Sequence, residues 1–313
     1  MYAGQGVNGG GLPTTPYATR FWDCCPAAFS YTPKGGVYAP VDACHKDGKT
    51  LFPFDIHNPG KNGCEGGDRF ACSCIQPWVD SKDPTLAYGF AAYNIHEADG
   101  SIESACYLAE FKPNDSNGKP MKVTKIILQN INTSGNILKG SFDFNLAGGG
   151  VGDFPAGCVA QWGQSWGSQY GGVTGAKQCC NLPPALRSSC LFRFTYFGEN
   201  PALAGTPKRV RCPTGIIDRS GSQRKDDAQV APYSGVTDAT GKPAADGYKR
   251  NRGVCDNIDP LGVVSSVCGG HVLNSRTPSR HVKRRPSPAG TTPGVEVVPP
   301  SAPKPTPKSH KQR

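Results

Sequence analysis

The chain has 313 residues, a net charge of +10, Gly 40, Pro 29 and fourteen cysteines. So much glycine and proline argues against a helical bundle and for short strands joined by long turns. Fourteen cysteines argue against an ordinary cytosolic enzyme; Cys72-Ser73-Cys74 has too short a spacer for a zinc knuckle, so disulfides and no metal or cofactor are expected.

Residues 1–17 form a Gly/Pro/Thr leader without periodicity, and Met1 to Gly11 shows no basic segment followed by an apolar core. Secretion is therefore an expectation from the cysteines, not from a visible signal peptide. Residues 18–230 are expected to be the folded domain. Alternation predicts strands over 105–111, 121–128, 141–146, 190–197 and 208–212. In 190–197, Phe192, Phe194 and Tyr196 share one face while Arg193 and Thr195 share the other. Residues 86–93 read as helical, and Pro183-Pro184-Ala185-Leu186 reads as a short helical turn. Short strands with long excursions predict a small β-barrel and not a parallel α/β fold.

Residues 231–313 lose almost all aromatics and read as a low-complexity basic tail. Residues 271–313 hold nine Lys/Arg against one acid, Glu296, which leaves only +2 for the other 270 residues. Charge confined to a tail predicts no nucleic-acid-binding body; an arm gripping an acidic polymer is the alternative. Cys255 and Cys268 flank no Trp or Phe, so no carbohydrate-binding module is predicted there. No apolar stretch approaches the roughly 20 residues of a helical membrane span.

Two carboxylates carry the chemical signal. In Ser141 to Leu146, Phe142, Phe144 and Leu146 alternate with Ser141, Asp143 and Asn145. A strand there buries the apolar three and turns Asp143 toward the other face, where aromatic neighbours favour its protonated form. Asp23 stands between Trp22 and Cys24-Cys25, in a segment that disulfides would fix. A protonated and an ionised carboxyl are what sugar hydrolysis needs, one to release the leaving group and one to activate water.

Thr19-Arg20-Phe21-Trp22-Asp23-Cys24-Cys25, Ser141-Phe142-Asp143-Phe144-Asn145-Leu146 and Gly148-Gly149-Gly150-Val151-Gly152 together resemble the catalytic segments of family 45 glycoside hydrolases. Cys64-Glu65-Gly66-Gly67, Gly157-Cys158, Tyr170-Gly171-Gly172 and Arg211-Cys212-Pro213 extend the resemblance over some two-thirds of the chain. It implies a six-stranded double-psi β-barrel with long disulfide-tied loops and an open groove. It also implies a secreted, monomeric, cofactor-free, inverting endo-β-1,4-glucanase, with Asp143 as general acid and Asp23 as general base. The partner is then a β-1,4-glucan, with no nucleic acid and no membrane. Implied bridges are Cys24–Cys158, Cys25–Cys64, Cys44–Cys72, Cys106–Cys212 and Cys179–Cys190; the remaining four cysteines are assigned as Cys74–Cys180 and Cys255–Cys268.

The same resemblance makes Thr19, Phe21, Tyr31, Asn136, Gly150, Tyr170, Gly171 and Asn200 expected substrate contacts; Trp162 and Trp166, in the loop before Tyr170-Gly171, are added as groove aromatics by their position, and Trp78 is left in the core. Several positions depart from the family pattern. Glu103 and Ser104 replace cysteines whose partners fall at Phe29 and Ser222, as if two whole disulfides were lost. Asn136 stands where a third aspartate is frequent, Phe21 where tyrosine is usual, and Ser141 where histidine is common. Lacking a charge, Asn136 is expected to lower the rate or move the pH optimum relative to an Asn136→Asp variant. Asn114-Asp115-Ser116 and Asn132-Thr133-Ser134 are glycosylation sequons. The glycine run lacks the lysine of a phosphate loop and is expected to let backbone approach a sugar chain. The rival reading is a non-hydrolytic expansin- or barwin-like wall-binding protein; those lack the Trp-Asp-Cys-Cys aspartate, so Asp23 discriminates.

Overall fold

The computed structural model describes residues 14–95, 97–236 and 238–269. Seven strands form one mixed sheet: β1 (Ala18–Phe21), β2 (Trp78–Val79), β3 (Leu86–Tyr93), β4 (Cys106–Glu110), β5 (Lys125–Asn132), β6 (Phe142–Asn145) and β7 (Lys208–Val210). Their order is β1-β6-β3-β5-β4-β7, with β2 paired to β3. The β1/β6 and β3/β5 pairs are parallel and the rest antiparallel.

Among the described residues five short α-helices lie outside the sheet: α1 (Asp99–Ile102), α2 (Ala156–Trp162), α3 (Pro184–Phe192), α4 (Thr214–Ser220) and α5 (Val263–Cys268). The architecture is mainly β. The paired strands make an open path, so strand pairing alone does not close the expected barrel. The segment 201–204 bonds to β1, at one end of that path, and to the end of β4, the strand next to its other end: Ala18 N–H donates to Pro201 O (3.0 Å), Lys112 N–H to Ala202 O (2.9 Å) and Ala204 N–H to Glu110 O (2.8 Å).

Two predicted elements change type. Residues 86–93 are not helical but form β3, the central strand. All eight of its residues are buried, with Leu86, Tyr88 and Phe90 in one apolar cluster and Ala87, Ala91 and Tyr93 in another. A strand covered on both faces shows no polar alternation, and its alanines and leucine mimic helical preference. Residues 190–197 are not a strand; they complete α3 and continue into a π-helical turn, Arg193–Phe197. There Phe192 and Phe197 enter the core beside β6, while Phe194 packs in a separate cluster with Trp22 and Leu191. The predicted strand 121–128 starts four residues late, because Lys122 and Val123 donate their N–H groups to Tyr196 O (3.0 Å each).

All fourteen cysteines are paired. Five bridges are those the resemblance implies. The last two are corrected to Cys74–Cys255 and Cys180–Cys268. The reason is that residues 231–269 do not trail away as a tail: Tyr233, Val236, Ala244 and Tyr248 pack on the core, and Arg250 pairs with Asp42 at 2.6 Å. That path carries Cys255 to Cys74, away from its near neighbour in sequence. The compact unit therefore extends well beyond residue 230. The leader up to residue 13 and the basic segment 271–313 lie outside the described residues.

Ser104 and Ser222, where the resemblance implies a lost bridge, do meet: their hydroxyl oxygens are 2.6 Å apart in the core. Glu103 fills its site differently, accepting from the N–H groups of Lys34 (2.8 Å) and Gly35 (2.5 Å). Among the described residues no helix is long and apolar enough to cross a membrane, and no group of side chains is arranged to hold a metal ion.

Candidate active site

The parallel β1/β6 pair sets Thr19 opposite Asp143. Phe142 and Phe144 are buried in the core, so the pleat turns Asp143 to the other face. There the Thr19 hydroxyl donates to Asp143 Oδ1 at 2.7 Å. One residue beyond β1, Trp22 N–H donates to Gly150 O at 2.7 Å and the chain leaves the sheet. Asp23 follows, its Oδ1 accepting from Cys25 N–H at 2.9 Å. The turn is unusual for L-residues, with Cys24 at φ +66°. Bridges Cys24–Cys158 and Cys25–Cys64 fasten it on both sides.

Both carboxyls open onto one groove of about 1190 Å³. Thr19, Phe21, Asn136, Gly150, Tyr170, Gly171 and Asn200 also line it. Tyr31 and Trp162 do not. The Tyr31 ring lies 4.3 Å from the Arg69 guanidinium, and Trp162 ends α2 packed on the cluster around Cys158; the expected sugar contacts at these two positions are not part of this groove. Trp166 is buried in that same cluster. Both sequon asparagines, Asn114 and Asn132, line the groove.

Gly150 has φ +103°, and a Cβ there would lie 2.7 Å from Gln169 O and 2.8 Å from Gly171 N. Only glycine lets these two backbones run so close beneath the groove.

The electrostatics come from burial. It pushes Asp23 up to about 7, against the Cys25 hydrogen bond, and the Asp143 charge adds to the rise. Asp143 is pushed up to about 6 by the same cause, held back by the Thr19 hydroxyl and the Arg20 charge. Arg20 is in turn paired with Glu199 at 2.9 Å and donates to Asn200 Oδ1 at 2.7 Å. Arg193 closes the network on the other oxygen of Glu199. Between pH 6 and 7 the two carboxyls together hold about one proton, the state an acid–base pair requires.

The sequence reading missed Asp153, Phe154 and the Arg20–Glu199–Arg193 network. Asp153 and Phe154 line the groove beside the glycine run; no local pattern marks them. Arg20 is inside a motif, but its partners are more than 170 residues away.

Residues 15–223 match the sequence profile of glycosyl hydrolase family 45. The chain belongs to that family. It is 50% identical over 241 residues to Endoglucanase 1 of Mycosarcoma maydis, covering 76% of this chain and 61% of that protein. It is 36% identical over 229 residues to a putative endoglucanase type K of Fusarium oxysporum, covering 72% and 57%. The chain thus spans about three-fifths of the length of these two relatives. The crystal structure of the cellulase from the Antarctic springtail Cryptopygus antarcticus superposes with a TM-score of 0.58 at 34% identity, covering 67% of this chain and 97% of that one.

Proposed function

We propose that this protein is a secreted endo-β-1,4-glucanase that hydrolyses internal bonds of cellulose and related β-glucans with inversion, acting as a monomer. One observation carries the reading: a half-buried carboxyl delivered by β6 and a buried one delivered by a disulfide-fastened turn face one open groove. Asp143 donates its proton to the glycosidic oxygen while Asp23 takes one from a water attacking the opposite face of the sugar. Inversion needs the carboxyls roughly 6.5–9.5 Å apart, with room for that water. Burial raises both carboxyls, so the pair shares a proton near pH 6 to 7. A glucan that covers Asp143 strips its remaining water and favours its protonated form, while water retained at Asp23 favours the carboxylate. The segment 201–204, bonded to both β1 and the end of β4, supports the double-psi barrel as the form of this sheet.

The test is reducing-sugar release and viscosity loss on carboxymethylcellulose and barley β-glucan. Asp23→Asn and Asp143→Asn should each lose about 10²–10⁴ in rate. An aryl cellotrioside with a strongly acidic phenol needs no general acid, so it should rescue Asp143→Asn and not Asp23→Asn. The opposite pattern of rescue would exchange the two roles. A folded wild type that binds cellulose without cutting it would favour the wall-binding reading.

A further inference from the structure

Asp153 sits on the wall of the groove, and both of its oxygens are used. Oδ1 accepts from the Tyr170 hydroxyl at 2.8 Å and Oδ2 from Asn136 Nδ2 at 3.3 Å. The two partners belong to very different parts of the rim. On the Tyr170 side the backbone is stitched: Gly152 N–H donates to Gln169 O (3.0 Å), Gln169 Nε2 donates to Gly152 O (2.9 Å), and Gly150 bridges Tyr170. On the Asn136 side, Ile137 O accepts from Asn94 Nδ2 at 2.6 Å. Among the described residues, Ser134, Gly135 and Asn136 have no hydrogen bond other than Asn136 to Asp153. The carboxylate is thus the one hydrogen-bonding link between this loop tip and a rigid wall.

We propose that Asp153 is a positioning residue for the glucan, clasping the 134–136 loop tip to the Tyr170 wall so that a bound chain is held beneath Asn136. The proposal rests on the glucanase reading above. Aspartate suits the task because it offers two acceptors and no donor, and both neighbours are donors. Exposed to water, such a bond is weak enough to open for chain entry and to reform afterwards. It also reverses the simple expectation for position 136. Asn136→Asp does not restore a useful charge; it sets a carboxylate against the carboxylate of Asp153 and opens the clasp.

The exchange of the two side chains makes the decisive test. In Asn136→Asp/Asp153→Asn the carboxylate at position 136 accepts from the amide at position 153, whose carbonyl oxygen still accepts from Tyr170. Asn136→Asp alone should raise KM for barley β-glucan about three- to tenfold with little change in kcat, and the exchanged pair should return it to near wild type. Order parameters from ¹⁵N relaxation for residues 134–136 report the clasp without substrate. They should fall from about 0.85 toward about 0.6 in Asp153→Ala and recover in the exchanged pair. Unchanged order parameters in Asp153→Ala, or an exchanged pair no better than Asn136→Asp, would overturn the clasp. Loss of order in Asp153→Ala together with no β-glucan hydrolysis by wild type would instead remove the glucanase reading, and the positioning role with it.

Discussion

Asp143 reaches the groove from a paired strand, whereas Asp23 reaches it from a turn without regular structure, fastened by two disulfides. On β6 the direction of the side chain follows from the pleat: bury Phe142 and Phe144, and Asp143 faces out. Nothing of that kind orients Asp23. Its place depends on Cys24 holding a left-handed conformation, on bridges to Cys158 and Cys64, and on α2 packing beneath it. On the proposed mechanism, the base that must keep a water in line is held covalently and the acid is held by main-chain pairing. The two halves of the site should therefore fail in different ways.

Removing Cys25–Cys64 with paired serine substitutions should show the largest effect. A 39-residue loop is released, at a cost of about 2–4 kcal/mol, and kcat should fall about ten- to a hundredfold as Asp23 shifts. Removing Cys180–Cys268, which closes an 88-residue loop away from the groove, should destabilise by a similar amount with kcat unchanged. Equal kcat in the two variants, measured where both are folded, would end the claim that the bridge positions the base.

Gly157→Ala tests the same turn with every cysteine kept. Its Cβ would lie 2.2 Å from both Asp23 O and Cys64 Sγ. The clash should cost about 1–3 kcal/mol and reduce kcat more than KM. A crystal structure with Asp23 unmoved, together with wild-type kcat, would show that the turn has slack.

The pH dependence separates the two carboxyls most finely. Activity should peak between about pH 6 and 7, falling on the acid side as the second proton binds and on the alkaline side as the last is lost. Both folded values lie above the unfolded carboxyl range near about 4, so this contribution to stability is present below about pH 4 and lost as pH rises through about 6 and 7. Asp23→Asn should then gain in melting temperature over wild type at pH 8 and not at pH 4. Thr19→Val should do least: loss of its hydroxyl bond raises Asp143 and moves the acid limb up by up to about one unit. A limb that stays put or moves down would mean that hydroxyl does not hold Asp143.

The groove was largely legible where function is written into contiguous residues. The motif around Asp23, the alternation around Asp143 and the glycine run all lie where the resemblance put them, within one groove. Legibility failed where a side chain's environment comes from distant segments. Tyr31 is next to a motif but turns to Arg69, and Trp162 is close to Tyr170 in sequence but packs inward. Asp153 gained a role only because the chain brings Asn136 and Tyr170 to it from 17 residues away on either side.

By itself the sequence determined the family, two carboxylates that share one groove, five of seven bridges and the paired absence at Ser104 and Ser222, because each is carried by residue identity at fixed spacing. The tertiary structure alone decided that 86–93 is a central strand, that 190–197 is helical, and that residues 231–269 fold back to give Cys74–Cys255 and Cys180–Cys268. The physical reason is the same in each case. Burial on both faces erases the periodicity that local reading depends on, and a bridge is chosen by where the backbone passes and not by how near two cysteines lie along it.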